Sequence, residues 1–108
     1  MNPLDIARQI AELTAENSRG ADALYEAEVR LAEAENELDL VEQRAFIKAE
    51  GTVADRTALA RLEAAEARLQ RDLRKAEANR IRVKIKALET AIMAAATQAK
   101  LIASELKV

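Results

Sequence analysis

Along the first half of the chain, apolar residues recur in two rows, each spaced by seven. Ile10, Leu24, Leu31, Leu38 and Ala45 make one row; Ile6, Leu13, Ala27, Ala34 and Val41 make the other. Together they form a seam of period 3.5, the pattern of a helix that packs lengthwise against another. Asn17 and Gly20 stand at seam positions, so "NSRG" is a weak point: a kink, a short break, or a place where a polar residue sets the register. "MNPLD" reads as a helix start, with Asn2 as N-cap, Pro3 at the first helical position and Asp5 in the first turn. In "KAEGTVADR", Gly51 suits the position just past a helix end and Lys48 its last turn. Thr52 then caps a second helix, with Asp55 three residues on, close to a capping box. The pattern predicts a first helix over about 3–50, a tip at 51–52 and a second helix over about 53–107. So short a connection makes the two helices antiparallel. At 1.5 Å per residue they are on the order of 72 and 82 Å long, which matches them well enough to lie side by side.

One stretch resists this reading. "RIRVKIK", Arg80 to Lys86, alternates charged and apolar residues as a half-buried strand would. A strand there has no second strand to pair with. From Ile81 onward, moreover, the apolar residues fall at Ile85, Leu88, Ile92, Ala95, Ala99, Ile102 and Leu106, spaced alternately by four and three. That is a helical seam, and the stretch is its beginning. Val83 is left on the far side of the helix, where it could cover a second partner surface.

The first half of the second helix carries a different stripe, made by Leu59, Leu62, Leu69, Leu73 and Ala76. It is rotated from the Ile81 stripe by roughly a quarter turn. One partner helix does not easily cover both, so the expectation is a hairpin that packs its own arm along part of the helix and other copies along the rest. The expected oligomer interface is Ile81, Ile85, Leu88, Ile92, Ile102 and Leu106. A two-helix hairpin has a small core for a domain of this size, and oligomerisation is the usual remedy. The expected fold class is therefore all-α: a long antiparallel two-helix hairpin, coiled-coil-like, forming one domain over residues 1–108 and assembled into a homo-oligomeric ring or bundle.

Composition agrees with long helices and removes most chemistry. Half of the 108 residues are hydrophobic, nearly half of those Ala, a third are charged, and there are two Gly, one Pro, one Tyr, one Phe and no Trp. With no Cys there is neither a disulfide framework nor a thiolate metal site, as suits a reducing cytosol. With no His there is no neutral-pH base of the usual kind, and the Glu-x-x-His element of bundle metal sites cannot be built around Glu26, Glu33 or Glu37. No glycine-rich phosphate loop and no nucleophile–base pair occurs, so the chain reads as a non-enzyme that uses no cofactor and no metal. No secretory leader is expected from "MNPLDIARQI", and the longest unbroken apolar run, "AIMAAA", is far below the roughly 20 residues that span a bilayer. The expected location is cytoplasmic, without a membrane partner.

Charge is the most informative feature. Residues 1–50 hold 5 basic and 12 acidic side chains, net −7; residues 51–108 hold 12 basic and 7 acidic, net +5. On the second helix Arg61, Arg68, Arg71, Lys75, Arg82 and Lys86 fall within a sector of about 80°, a basic stripe about 37 Å long. Such a stripe pairs with the acidic arm, fixing hairpin orientation, or is only a solvated face, or tracks a nucleic-acid backbone. Only Tyr25 and Phe46 could stack on a base, so binding would be electrostatic, weakly sequence-dependent and salt-sensitive.

The tip and the helix after it, "RAFIKAEGTVADRTALARLEAAEARLQRDLRKAEANRIRVKIKALETAI", resemble small helical phage proteins of the UvsY-type recombination mediator family. The resemblance covers roughly residues 20–95. It lies in the long first helix, the tip pattern K-A-x-G-T-x-A-x-R, the basic second helix and the length. It implies an oligomeric, ring-like helical-hairpin protein that binds single-stranded DNA. Such a protein helps to load a recombinase or annealing protein onto strands coated by single-strand-binding protein, in the cytoplasm of an infected or lysogenic bacterial host. By the same resemblance, basic residues just before the tip, here Arg44 and Lys48, contribute to DNA contact. Glu42 and Gln43 stand where a second basic residue is expected, which moves the expected contact towards the stripe on the second helix. The alternative reading is a structural or adaptor coiled coil, an assembly chaperone or interaction module, that binds no nucleic acid.

Overall fold

The computed structural model describes residues 2–106, and among them the chain is helical apart from its start, its tip and one joint. Helix α1 runs Pro3–Lys48, α2 runs Val53–Glu63 and α3 runs Ala65–Leu106. The Asn2 side chain accepts from the Asp5 backbone N–H at 2.9 Å, the N-cap read from "MNPLD". At the other end of α1, Gly51 has φ 110°, a left-handed conformation that L side chains rarely adopt. Thr52 and Asp55 then close a full capping box, with Asp55 N donating to Thr52 Oγ1 at 3.1 Å and Thr52 N donating to Asp55 Oδ2 at 3.3 Å.

One point the sequence leaves open is resolved, and one detail differs from the reading. α1 continues without a break through Asn17–Gly20. The second arm, expected as one helix, is divided at Ala64, whose φ −86° and ψ 4° leave the helical well. Backbone hydrogen bonds nevertheless pass through the joint, Ala64 N to Ala60 O at 3.0 Å and Arg68 N to Ala64 O at 2.9 Å, so the axis carries on. The expected helix end at 107 lies outside the described residues.

The chain divides into two compact units, residues 25–79 and residues 2–24 with 80–106. The first is a hairpin: α1 from Tyr25 turns at the tip and returns antiparallel as α2 and the start of α3. Its inward positions are Ala27, Leu38 and Ala45 on α1 against Ala60, Ala64 and Ala78 on the returning arm, all buried. Ala67, Arg71 and Arg74, half-buried, complete the returning row at the alternating spacing of three and four. The core of this unit is therefore built of alanines, with Leu38 its only large buried side chain among the described residues.

The second unit is the antiparallel pair formed by the start of α1 and the rest of α3. Its inward row on α3 is Ile81, Ile85, Leu88, Ile92, Ala95, Ala99 and Ile102, buried or half-buried. Ile6 is almost wholly buried. It lines an apolar hollow with Ile10, Ala99 and Ile102, so this unit is sealed by large side chains. At Gly20 the helices come so close that an added Cβ would stand 3.1 Å from Ile85 Cγ1, which explains a glycine in mid-helix.

These burials revise the reading of the shifted stripe. The inward row keeps one phase from Ala60 to Ile102; what changes is its composition, from alanine to isoleucine. Ile81, Ile85, Leu88, Ile92 and Ile102, expected to face other copies, pack within this unit against the chain's own first arm, while Leu106 is 74% exposed. Leu59, Leu62, Leu69 and Leu73, expected against the chain's own first arm, face outward.

Asn17 explains itself only in part. It stands at a seam position of α1, and its Oδ1 is buried without a hydrogen-bond partner. A buried acceptor left unpaired costs roughly 1–3 kcal/mol. Asn17→Leu is therefore expected to stabilise the protein by about 1 kcal/mol, raising the thermal midpoint by roughly 4–8 °C in a circular-dichroism melt. A lower midpoint would show that the amide is held by a partner.

Candidate nucleic-acid interface

The structure distributes the expected DNA-contacting residues over both units. In the hairpin, Arg44 and Lys48 are exposed on the last turns of α1, and Arg61 and Lys75 are exposed on the returning arm. Arg68 is half-buried and donates to Glu42 Oε1 at 3.0 Å. Arg71 turns into the inward row and is half-buried, its Nε 2.6 Å from Asp72 Oδ1. In the other unit, Arg82 and Lys86 are exposed on α3. The stripe is thus not one open face: two of its six members, Arg68 and Arg71, lie partly within the packing and are committed to carboxylates.

Position along the seam explains this. Residues flanking an antiparallel seam meet the matching flank of the partner, so Glu42 meets Arg68 on one side. On the other side Arg30 donates to Glu77 Oε1 at 2.8 Å, while Arg74 reaches Glu77 Oε2 at 3.3 Å. The Arg30 hydrogen bond, with Arg74 adding to it, holds the Glu77 carboxylate below its ordinary range against a smaller opposing effect of desolvation. A carboxylate lowered in this way stabilises the fold above the usual carboxylate pKa, and that stabilisation is lost as pH falls through the folded value.

A residue outside the expected set holds the tip together. Arg56 donates from Nε and Nη2 to the Phe46 carbonyl at 3.1 and 3.0 Å, and its guanidinium lies 4.2 Å from the centre of the Phe46 ring. It caps one of the last carbonyls of α1 from the start of α2 and covers the aromatic ring. The sequence signal was present: an Arg four residues past an N-cap, beside a helix end with unsatisfied carbonyls. Arg56→Ala is expected to cost about 1.5–3 kcal/mol, read as a lower midpoint in urea with unchanged slope. An unchanged midpoint would mean that water replaces the guanidinium without loss.

The most concentrated cationic surface lies in the other unit. Arg80, Arg82, Lys84 and Lys86 are all exposed on α3, and no acidic residue lies on that helix between Glu77 and Glu89. Lys84 meets Glu16 at 3.8 Å with its side chain 70% exposed, a weak surface pair. Ile81 and Ile85, between these cations, point into the seam and Val83 points out, so the four charges spread around the solvent side of one helix. This is the stretch that alternates like a strand; as a helix it lays down four cations in two turns.

Among the described residues, no group of acidic side chains is placed to hold a metal ion, and no helix is long and apolar enough to cross a membrane. Comparison of the chain with known protein families, with curated proteins and with solved structures finds no match.

Proposed function

We propose that this protein is a non-enzymatic single-stranded-DNA-binding protein of recombination-mediator type, which self-associates and helps to load a recombinase or annealing protein onto strands coated by single-strand-binding protein. The observation that carries the reading is the exposed cation run Arg80–Lys86, on a stretch of helix with no acidic residue between Glu77 and Glu89. Four cations on the solvent side of a rigid helix, with no aromatic side chain among them to stack on a base, suit a phosphate backbone, so binding is ionic and weakly sequence-dependent. The resemblance of the tip and the second arm to the UvsY-type family supports the biological role. The test is a gel-shift series with oligonucleotides of unrelated sequence: equal affinities at a given salt concentration support the reading, and a strong preference for one sequence contradicts it.

A second reading is favoured by a specific observation. The Arg68–Glu42 and Arg30–Glu77 pairs tie one arm to the other in the hairpin unit, as expected of an adaptor or structural coiled coil whose charges only set arm orientation. That protein would leave oligonucleotides unshifted at any salt concentration.

A further inference from the structure

The returning arm of the hairpin unit is inverted in one respect: alanines take its seam and leucines face water. Leu59, Leu62, Leu69 and Leu73 are 46%, 73%, 51% and 52% exposed. With Glu66 and Ala76 they are spaced 3, 4, 3, 4, 3, a second heptad seam on the side of the arm away from α1. We propose that this outer seam is the contact between two copies of the chain, paired antiparallel about a two-fold axis passing between residues 67 and 68. This supplies the face for the self-association included in the proposed function, and it requires no DNA.

Spacing and charge choose this occupant and orientation. A two-fold contact must be complementary to itself. Reversed about that midpoint, the row places Leu62 on the second copy's Leu73, Leu59 on its Ala76 and Glu66 on its Leu69. Along the edge, Glu63 then meets Gln70 of the second copy, so no like charges oppose there. Parallel pairing fails on charge: it stacks Glu66 on Glu66 and sets Asp72 against Glu77. The energetic motive is the alanine seam, which buries little area per residue, beside a leucine row whose burial would supply what the seam lacks. Glu66, the one charge within the row, limits the strength of the contact.

The experiment uses the absence of cysteine in the full chain. Leu62→Cys and Leu73→Cys are prepared separately, then oxidised alone and as an equal mixture, without DNA. Antiparallel pairing puts residue 62 of one copy beside residue 73 of the next, whereas identical positions lie about 16 Å apart along the axis. The expected result is a disulfide dimer in the mixture containing one of each variant, with neither variant cross-linking to itself. Self-linking of either variant, or no link in the mixture, overturns the proposal. In analytical ultracentrifugation Leu69→Glu is expected to weaken self-association about 100-fold and Glu66→Leu to strengthen it about tenfold, with helix content unchanged. Self-association untouched by Leu69→Glu also overturns it.

Discussion

Ile85→Asp is expected to unfold the unit built from the start of α1 and the latter part of α3, whereas Val83→Asp, two residues away, leaves stability within about 0.5 kcal/mol of the parent. Ile85 is half-buried in the seam, its side chain filling the space that Gly20 leaves open. A carboxylate there puts a charge into a hollow that Ile85 lines together with Ala23, Ile81 and Leu88. The cost is about 3–5 kcal/mol, which lowers the thermal midpoint by more than about 10 °C. Val83 is 69% exposed on the outer side of the same helix, so an aspartate there stays in water. Circular-dichroism melts of the two variants check the contrast. Equal losses would mean that the alternation in "RIRVKIK" marks two buried faces rather than one.

The start of α1 and the turn into α2 are legible because they are written in local chemistry, whereas the joint at Ala64 has no such signal. Asn2, Pro3 and Asp5 start α1, Gly51 ends the turn after it, and Thr52 with Asp55 starts α2. The inward rows of α1 were legible from their spacing, since all ten apolar residues read from it are buried or half-buried. The pairing of faces on the second arm was not. Leucine outweighs alanine in any reading by hydrophobicity, so Leu59, Leu62, Leu69 and Leu73 looked like the inner stripe. In the structure the alanines Ala60, Ala64 and Ala78 take the seam and the leucines stay outside. The basic stripe was over-read for a related reason. An angular sector on one helix ignores what the partner helix presents, and only the flank-to-flank pairing of an antiparallel seam shows that Arg68 meets Glu42. The role of Arg56 is legible only in outline: its place four residues past the Thr52 cap sets it beside the end of α1, but the carbonyl it holds, that of Phe46, emerges only from the folded tip.

Replacing Arg80, Arg82 and Lys86 together by Gln should remove most of the DNA affinity at low salt while leaving helix content intact. All three are exposed, so the seam beneath them is untouched. Each phosphate neutralised on a single strand adds about −0.7 to the slope of log K against log salt. Three lost contacts therefore flatten the slope by roughly 2. The matched control is Arg8→Gln with Lys100→Gln, exposed cations away from the run, which should change the slope by far less. If the triple variant instead kept its DNA affinity and lost thermal stability, the charges of the run would belong to the fold and not to a ligand.

The most direct test of the account is the unmodified protein against a single-stranded oligonucleotide across a series of salt concentrations. Four cations on the Arg80–Lys86 run predict a linear fall of log K with log salt, with a slope of about −3 per protomer. No retardation of the oligonucleotide even at low salt, with the protein folded and helical, would contradict the DNA-binding reading and leave the adaptor reading in its place.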